Sequence, residues 1–163
     1  MKKLQILAAI VVLAAGIFSS CKKASSNNNT STPTSTYYVI ANIVGGNPPS
    51  WVASTVSGSN SGPLGSGTIT ILGTMADGES ITLTFPNNVT PGYYPWNTAP
   101  TYVTESYTLN SSPSGYYNAT SGSITIKSIS LTGAVSGTFT FNALDQTNNA
   151  TVNITNGSFN VKL

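Results

Sequence analysis

Histidine and arginine are absent from the chain of 163 residues, and Cys21 is its single cysteine. Catalytic triads, pairs of cysteine and histidine, and histidine-ligated metal sites all require these residue types. Such sites cannot be assembled from this chain, and one cysteine cannot form a disulfide within it. We therefore expect no catalytic residue, no metal centre and no cofactor.

Charged residues are also scarce, at 6% of the chain. The four acidic residues are Asp77, Glu79, Glu105 and Asp145. A glycosidase needs two carboxyl groups that face one bond, whereas these four lie in or beside predicted turns or singly on a strand. Asp145 with Asn148 and Asn149 offers oxygen ligands to a calcium ion, but a solvated hairpin loop explains the same three residues. A carboxylate hydrolase and a calcium site are therefore the weaker alternatives to a non-enzymatic function.

Residues 1–20 have the three zones of a secretion signal. Lys2 and Lys3 form a positive head, an apolar run extends from Ile6 to Phe18, and small residues follow. The run has 13 residues and rises about 20 Å as a helix, whereas a spanning helix needs about 20 residues and roughly 30 Å. We predict a cleaved signal peptide, and a permanent transmembrane helix is the weaker alternative.

The end of this segment, Ile17-Phe18-Ser19-Ser20-Cys21, resembles a lipobox. In a lipobox an apolar residue lies three places before the cysteine, and small residues lie between them. The resemblance implies that Cys21 is the lipidation site and that its acyl chains anchor the mature protein in a membrane. A buried thiol is the alternative for a lone cysteine, but Cys21 follows an export signal and precedes a polar segment.

Residues 21–36 are the lipidated cysteine and the sequence KKASSNNNTSTPTST, which has no large apolar side chain to bury. Nothing here offsets the conformational entropy that ordering would remove, so we predict a flexible, disordered tether. After removal of the signal, four lysines balance four acidic residues. Because nucleic-acid binding requires a basic face, we exclude nucleic acid as a partner.

From residue 37 onward, apolar and polar residues alternate between groups of turn residues, and strong helix formers are scarce. The pattern predicts strands over 37–44, 51–56, 67–73, 79–85, 92–95, 102–109, 115–118, 122–131, 135–144 and 150–163. Short strands at this spacing are typical of antiparallel sheets. We predict an all-β fold in which residues 37–163 form a single antiparallel β-sandwich or barrel.

The last two predicted strands carry the clearest pattern of alternation. A loop over 144–149 would place Phe141 opposite Val152, so that large apolar side chains meet on one face. At Asn156-Gly157 the apolar residues change parity. This change indicates either a two-residue turn or a glycine bulge within one continuous strand.

Aromatic residues beside predicted loops are the possible ligand-binding residues, namely Trp51, Trp96, Tyr93 and Tyr94. Aromatic rings whose polar tips reach water can stack on sugar rings or contact proteins. The alternative is that these rings close the ends of a β core, because aromatic residues favour strands and bury well.

Four stretches follow one another along the chain: Gly46 to Ala53, Gly92-Tyr93-Tyr94-Pro95, Ser136 to Ala143 (SGTFTFNA) and Ile154 to Phe159 (ITNGSF). Together they resemble the landmarks of an uncharacterised family of small β-rich lipoproteins from Bacteroidetes-type bacteria. The resemblance implies the anchor and the fold, and it transfers no active site. In such bacteria acidic residues after the lipidated cysteine accompany surface export, and residues 22–25 contain none. We expect the outer membrane, with the leaflet left open.

The function that these features favour is that of a lipid-anchored, non-catalytic envelope protein. Its partners would be the membrane, through the acyl chains on Cys21, and a glycan or an envelope protein, through the loop aromatics. The alternative is a structural subunit of a cell-envelope or surface assembly, joined to its neighbours through an exposed strand such as 150–163.

Overall fold

The computed structural model describes residues 36–44, 49–99, 103–109 and 115–163. The predicted signal peptide, Cys21 and all but the last residue of the predicted tether lie outside the described residues. The described chain is all-β, as predicted, and it holds no helix with the length and apolarity to cross a membrane. Its strands are β1 (Tyr38–Val44), β2 (Ser50–Val52), β3 (Thr55–Ser61), β4 (Thr68–Thr74), β5 (Ser80–Pro86), β6 (Gly92–Pro95), β7 (Thr104–Thr108), β8 (Tyr116–Ile129), β9 (Ala134–Asp145) and β10 (Thr151–Lys162).

These strands form one antiparallel sheet in the order β2-β1-β10-β9-β8-β7-β5-β4-β3. The remaining strand, β6, lies off this path and pairs with the second half of β8, beyond the residues that pair with β7. The sheet curls into a half-barrel. Its concave side is the core, and its convex side faces solvent.

The two ends of the strand order meet at Ala53 and Ser54, the residues that connect β2 to β3. The amide of Ala53 donates a hydrogen bond to the carbonyl oxygen of Val39 in β1 (3.0 Å). The amide of Ser54 donates to the carbonyl oxygen of Thr74 in β4 (2.9 Å). Two consecutive residues therefore bond to opposite ends of the strand order, and the sheet has to curl until those ends are neighbours.

The core consists of the side chains that alternate with exposed ones along each strand. The largest fully buried side chains are Trp51, Phe85, Phe141, Phe159, Ile69, Ile71, Ile81, Leu83, Ile124, Ile126, Ile154 and Val39. The ring of Phe139 stacks on that of Phe141, with 6.1 Å between the ring centroids. It also lies 6.3 Å from the ring of Phe159, so β9 and β10 supply the aromatic centre of the core.

The predicted strand over 51–56 is wrong, because two strands occupy this region. The chain pairs with β1 through Val52 and joins β4 from Thr55 onward. The second strand continues through residues 57–61, SGSNS, which the prediction missed because they include no apolar side chain. Hydrogen bonding to β4, and not burial of a face, holds this stretch in the sheet.

The predicted strands over 115–118 and 122–131 are one strand, β8. Its pairing with β9 shifts at a bulge between Ala119 and Ser121. A bulge bends a strand and increases its twist, and here it separates the half of β8 that pairs with β7 from the half that pairs with β6. The sequence showed the interruption as a break in alternation, which had the appearance of a turn.

The hairpin of β9 and β10 differs from the predicted register by two residues, since Phe141 lies opposite Ile154 and not opposite Val152. The reason is that β9 extends through Asp145. The amide of Asn149 donates to the carbonyl oxygen of Asp145 (2.9 Å), which closes a turn shorter than the predicted loop over 144–149.

At Asn156-Gly157 the structure has the bulge and not the turn. β10 runs without interruption, its register with β9 shifts between Ile154 and Gly157, and Asn156 has a φ of 51°. β10 also lies between β1 and β9 in the sheet. The expectation that 150–163 is an exposed edge strand is therefore wrong, because both of its edges are paired.

Candidate functional site

Tyr93 is the candidate aromatic residue that the structure exposes most, with 67% of its surface accessible. It lies in β6, directly opposite Thr125 in β8. Opposed residues of an antiparallel pair point to the same side of the sheet, with Cβ atoms about 5 Å apart. The ring therefore stands on the convex side, next to the Thr125 side chain.

A row of hydroxyl side chains continues from Tyr93 across the convex side. Thr125 lies opposite Thr138 in β9, and Thr138 lies opposite Ser158 in β10. A second, parallel row begins with Pro95, which lies opposite Ser123 in β8. The strand register thus brings together hydroxyl groups that lie more than 30 residues apart in the sequence.

The parts of these rows on β8, β9 and β10 border a shallow depression of about 460 Å³. We call it the hydroxyl depression. It is lined by Ser123, Thr125, Thr138, Phe139, Thr140, Asn156, Gly157 and Ser158. Each serine or threonine hydroxyl can donate one hydrogen bond and accept others, and the Asn156 amide can do both. None of the lining residues is charged, so the depression suits a neutral, polar ligand.

The bulge in β10 shapes this depression. A Cβ atom at Gly157 would lie 2.5 Å from the ring of Phe139, so only glycine lets the strand pass over that ring. Asn156, with its positive φ, is exposed beside the glycine. The hydroxyl of Thr140 donates to the carbonyl oxygen of Ile154 (2.9 Å), which braces the strand where the bulge begins.

Tyr94 and Trp96 contribute to the wall of the half-barrel, and both are half-buried. Tyr94 lies opposite Ile124, on the core side of β6. Its hydroxyl donates to the carbonyl oxygen of Thr90 (2.6 Å) and accepts from the Thr90 amide (3.0 Å). Trp96 packs against the core, and its amide donates to the carbonyl oxygen of Gly122 (3.0 Å). Neither ring stands free on the convex side as Tyr93 does.

Trp51 is buried, so it does not offer its ring to a ligand and instead fits the alternative that the ring closes the core. Only 1% of its surface is accessible, and it lies in β2 opposite Ala41 in β1. Its ring reaches across the seam of the sheet, which is the line along which the two ends of the strand order meet. A Cβ atom at Gly73 in β4 would lie 3.1 Å from the ring. The preceding prolines suggested a loop, but the ring fills the point at which the sheet edges meet.

Three of the four acidic residues lie in or beside two turns. Asp77 accepts a hydrogen bond from the Glu79 amide (3.1 Å), and Asp145 accepts one from the Thr147 amide (2.8 Å). The hydroxyl of Tyr107 donates to Glu79 (2.8 Å). Burial raises the pKa of this hydroxyl, and the bond to Glu79 raises it further. No group of three potential metal ligands occurs in the described part of the chain.

Glu105 is different, because it lies in the core. It is 4% exposed, it stands opposite Leu83 in β5, and neither carboxyl oxygen has a hydrogen-bond partner among the described residues. Burial raises the pKa of this carboxyl from 4.5 to about 8. The alternation of Val103, Glu105 and Tyr107 on one face was the sequence signal for this burial.

Residues 46–161 match the family described as Domain of unknown function (DUF6252). No curated protein and no solved structure shows significant similarity to the chain. The matched range includes Tyr93 and every residue of the hydroxyl depression, whereas β1 precedes it. The expectation of an uncharacterised family is confirmed to this extent.

Proposed function

We propose a function for this chain, which belongs to the family described as Domain of unknown function (DUF6252). It is a lipid-anchored, non-catalytic protein of the bacterial envelope. It lies in the outer membrane, and it binds a neutral glycan. The anchor is the acylated Cys21. The binding surface is the hydroxyl depression together with Tyr93, which lies opposite Thr125 of its lining. Of the four aromatic residues that the sequence offered for this role, the proposal keeps the exposed Tyr93.

The observation that carries the proposal is the combination of an exposed aromatic ring with uncharged hydrogen-bonding groups on one surface. Ligand sites typically join an apolar contact to a few polar groups that fix orientation. A tyrosine ring offers a flat apolar face to the C–H groups of a sugar. Serine, threonine and asparagine side chains match sugar hydroxyls as both donors and acceptors.

A structural subunit remains the alternative function, and it would require an edge strand that a neighbour can pair with. Among the described residues β2, β3 and β6 each pair with one strand only, so each of them offers a candidate edge for strand addition. Of the three, β6 is poorly suited to it. It has four residues, beginning with Gly92 and ending with Pro95. Short edges that carry proline resist the addition of a further strand.

The glycan proposal is tested with Tyr93→Ala in the acylated full-length protein. We expect its affinity for the neutral glycan that the wild type selects from an immobilised panel to fall about tenfold or more, because the ring contact is lost. Tyr116→Ala is the matched control, since Tyr116 is also exposed, at 55%, but lies at the far end of β8. Titration calorimetry measures both. Equal losses in the two variants, or no binding to any neutral glycan at high protein concentration, would refute the proposal.

The anchor is tested with Cys21→Ser. We expect a precursor that incorporates no labelled palmitate and that the lipoprotein peptidase does not cleave, because the thioether cannot form on serine. Labelling in cells, followed by mass spectrometry of the N-terminal peptide, measures both properties. A variant that is still cleaved after Ser20 and still labelled would show that the lipobox assignment is wrong.

A further inference from the structure

Apart from Glu105, which lies in the core, the charged residues of the described chain lie at opposite ends of the half-barrel. Lys162 lies at the end of β10, and Lys127 is the extra residue of a second bulge in β8, two residues before that strand ends. The turns that carry Asp77, Glu79 and Asp145 lie at the other end, since β4 and β9 run toward them. Both lysines are exposed.

The lysines share their end with the point at which the preceding chain arrives. The side chain of Asn160 donates to the carbonyl oxygen of Thr36 (2.7 Å), which fixes the first described residue beside the end of β10. The amide of Leu163 donates to the carbonyl oxygen of Gly133 in the turn between β8 and β9 (2.9 Å). We call this end, with Thr36, Leu163 and the turn 130–133, the tether end.

The loop that joins β3 to β4 also lies at the tether end. A Cβ atom at Gly58 of β3 would lie 3.1 Å from the side chain of Leu163, so the two residues are at the same level. The strand continues for three more residues, which adds about 10 Å. The loop over 62–67 follows, with Leu64 at 70% exposure. Leu64 is the most exposed of the large apolar side chains in the described chain.

A buried asparagine holds this loop in place. The side-chain amide of Asn87 donates to the side-chain oxygen of Asn60 (3.0 Å) and to the carbonyl oxygen of Pro63 (3.1 Å). Its side-chain oxygen accepts from the Gly65 amide (3.0 Å). The backbone on both sides of Leu64 is therefore fixed, and the leucine side chain is presented outward.

From this arrangement we infer that the tether end docks on the surface of the membrane that holds the anchor, with Leu64 inserted among the lipids and the lysines facing anionic headgroups. The inference rests on the proposed acylation of Cys21. Only 15 residues separate Cys21 from the β-domain, among them Lys22 and Lys23, so this end stays near the bilayer. Basic residues beside a membrane are attracted to anionic lipids, while the acidic turns at the other end are repelled. The partner is thus a lipid surface.

The test places an environment-sensitive fluorophore at Leu64→Cys in the acylated full-length protein, whose own Cys21 is blocked by its thioether. The matched control is Val44→Cys, because Val44 is also an exposed apolar residue, at 60%, but lies at the acidic end. Both proteins are reconstituted in vesicles of phosphatidylglycerol and phosphatidylethanolamine that contain brominated lipids. We expect a blue shift and severalfold stronger quenching at position 64 than at position 44. Reversing both charges, with Lys127→Glu and Lys162→Glu, should weaken the quenching at position 64.

The possible outcomes distinguish a failure of the docking from a failure of the anchor. An acylated protein in which both positions are quenched equally, or in which position 64 is not quenched, would overturn the docking and leave the proposed function intact. Mass spectrometry of Cys21 before reconstitution reports on the anchor itself. An unmodified Cys21 would refute the anchor and the docking that rests on it.

Discussion

Glu105→Gln is expected to raise the free energy of unfolding by about 5 kcal/mol near pH 9 and to leave it almost unchanged near pH 4. The reason is that the carboxyl lies in the core without a hydrogen-bond partner among the described residues. An ionised carboxylate in such a place is strongly disfavoured. Glutamine has the same shape and does not ionise.

The sign follows from the pKa of Glu105, which is about 8 in the folded chain and 4.5 as its ordinary value. Below pH 4.5 the carboxyl is protonated in both the folded and the unfolded state, so it does not lower the free energy of unfolding. Between 4.5 and 8 only the unfolded state releases the proton, so stability falls as the pH rises. Each unit of this interval lowers the free energy of unfolding by about 1.4 kcal/mol, and above 8 the loss is complete.

Urea unfolding of the wild type and Glu105→Gln, at several values of pH, measures this effect. Ser106→Ala is the control, because Ser106 is the next residue of β7 and lies on the opposite side of the sheet from the core. It should keep the pH dependence of the wild type. A wild type whose stability is the same at pH 5 and pH 8.5, or a glutamine variant that retains the slope, would contradict the prediction.

Phe141→Ala is expected to lower the free energy of unfolding by about 3–5 kcal/mol, because it leaves a cavity in the aromatic centre of the core. The ring is 1% exposed and stacks on Phe139. Its neighbours across the strands are Ile154 and Gly122. Gly122 has no side chain that could fill the vacated space, and Ile154 lies directly before the bulge of β10, whose backbone is held by its pairing with β9. The cavity should therefore persist.

The midpoint of urea unfolding measures this loss, and an unchanged m-value would show that the unfolded state is not affected. Asn142→Ala is the control, since Asn142 is the next residue of β9 and is exposed on the convex side. A substitution there should change the free energy of unfolding by no more than about 0.5 kcal/mol. Equal effects of the two variants would contradict the packing described for β9.

The sequence predicted most strands because alternation is a local property. For β4, β5, β9 and β10 the apolar residues at every second position lie on the core side, as expected. The bulge at Gly157 was one of two predicted alternatives, and choosing between them requires the partner strands. The division between β2 and β3 left no local signal, because it results from the closure of the sheet at Ala53 and Ser54.

The candidate site was less predictable than the fold. Tyr93 and Trp51 have similar settings in the sequence, beside prolines and predicted turns, yet one is exposed and the other lies at the seam. The hydroxyl depression depends on the register of three strands. A shift of one residue in a strand would move its hydroxyl side chains to the core side of the sheet. Threonine and serine recur along nearly every strand of this chain, so nothing in the sequence distinguished the residues that line the depression.

The position of β1 determines how the domain responds to mechanical force. A pull on the chain through Thr36 acts along β1, which lies between β10 and β2 in antiparallel pairs. The hydrogen bonds of such pairs are perpendicular to the strands, so tension loads them together in shear and does not open them one after another. A domain that is held at Thr36 while its convex wall grips a ligand would thus bear that load across a whole strand.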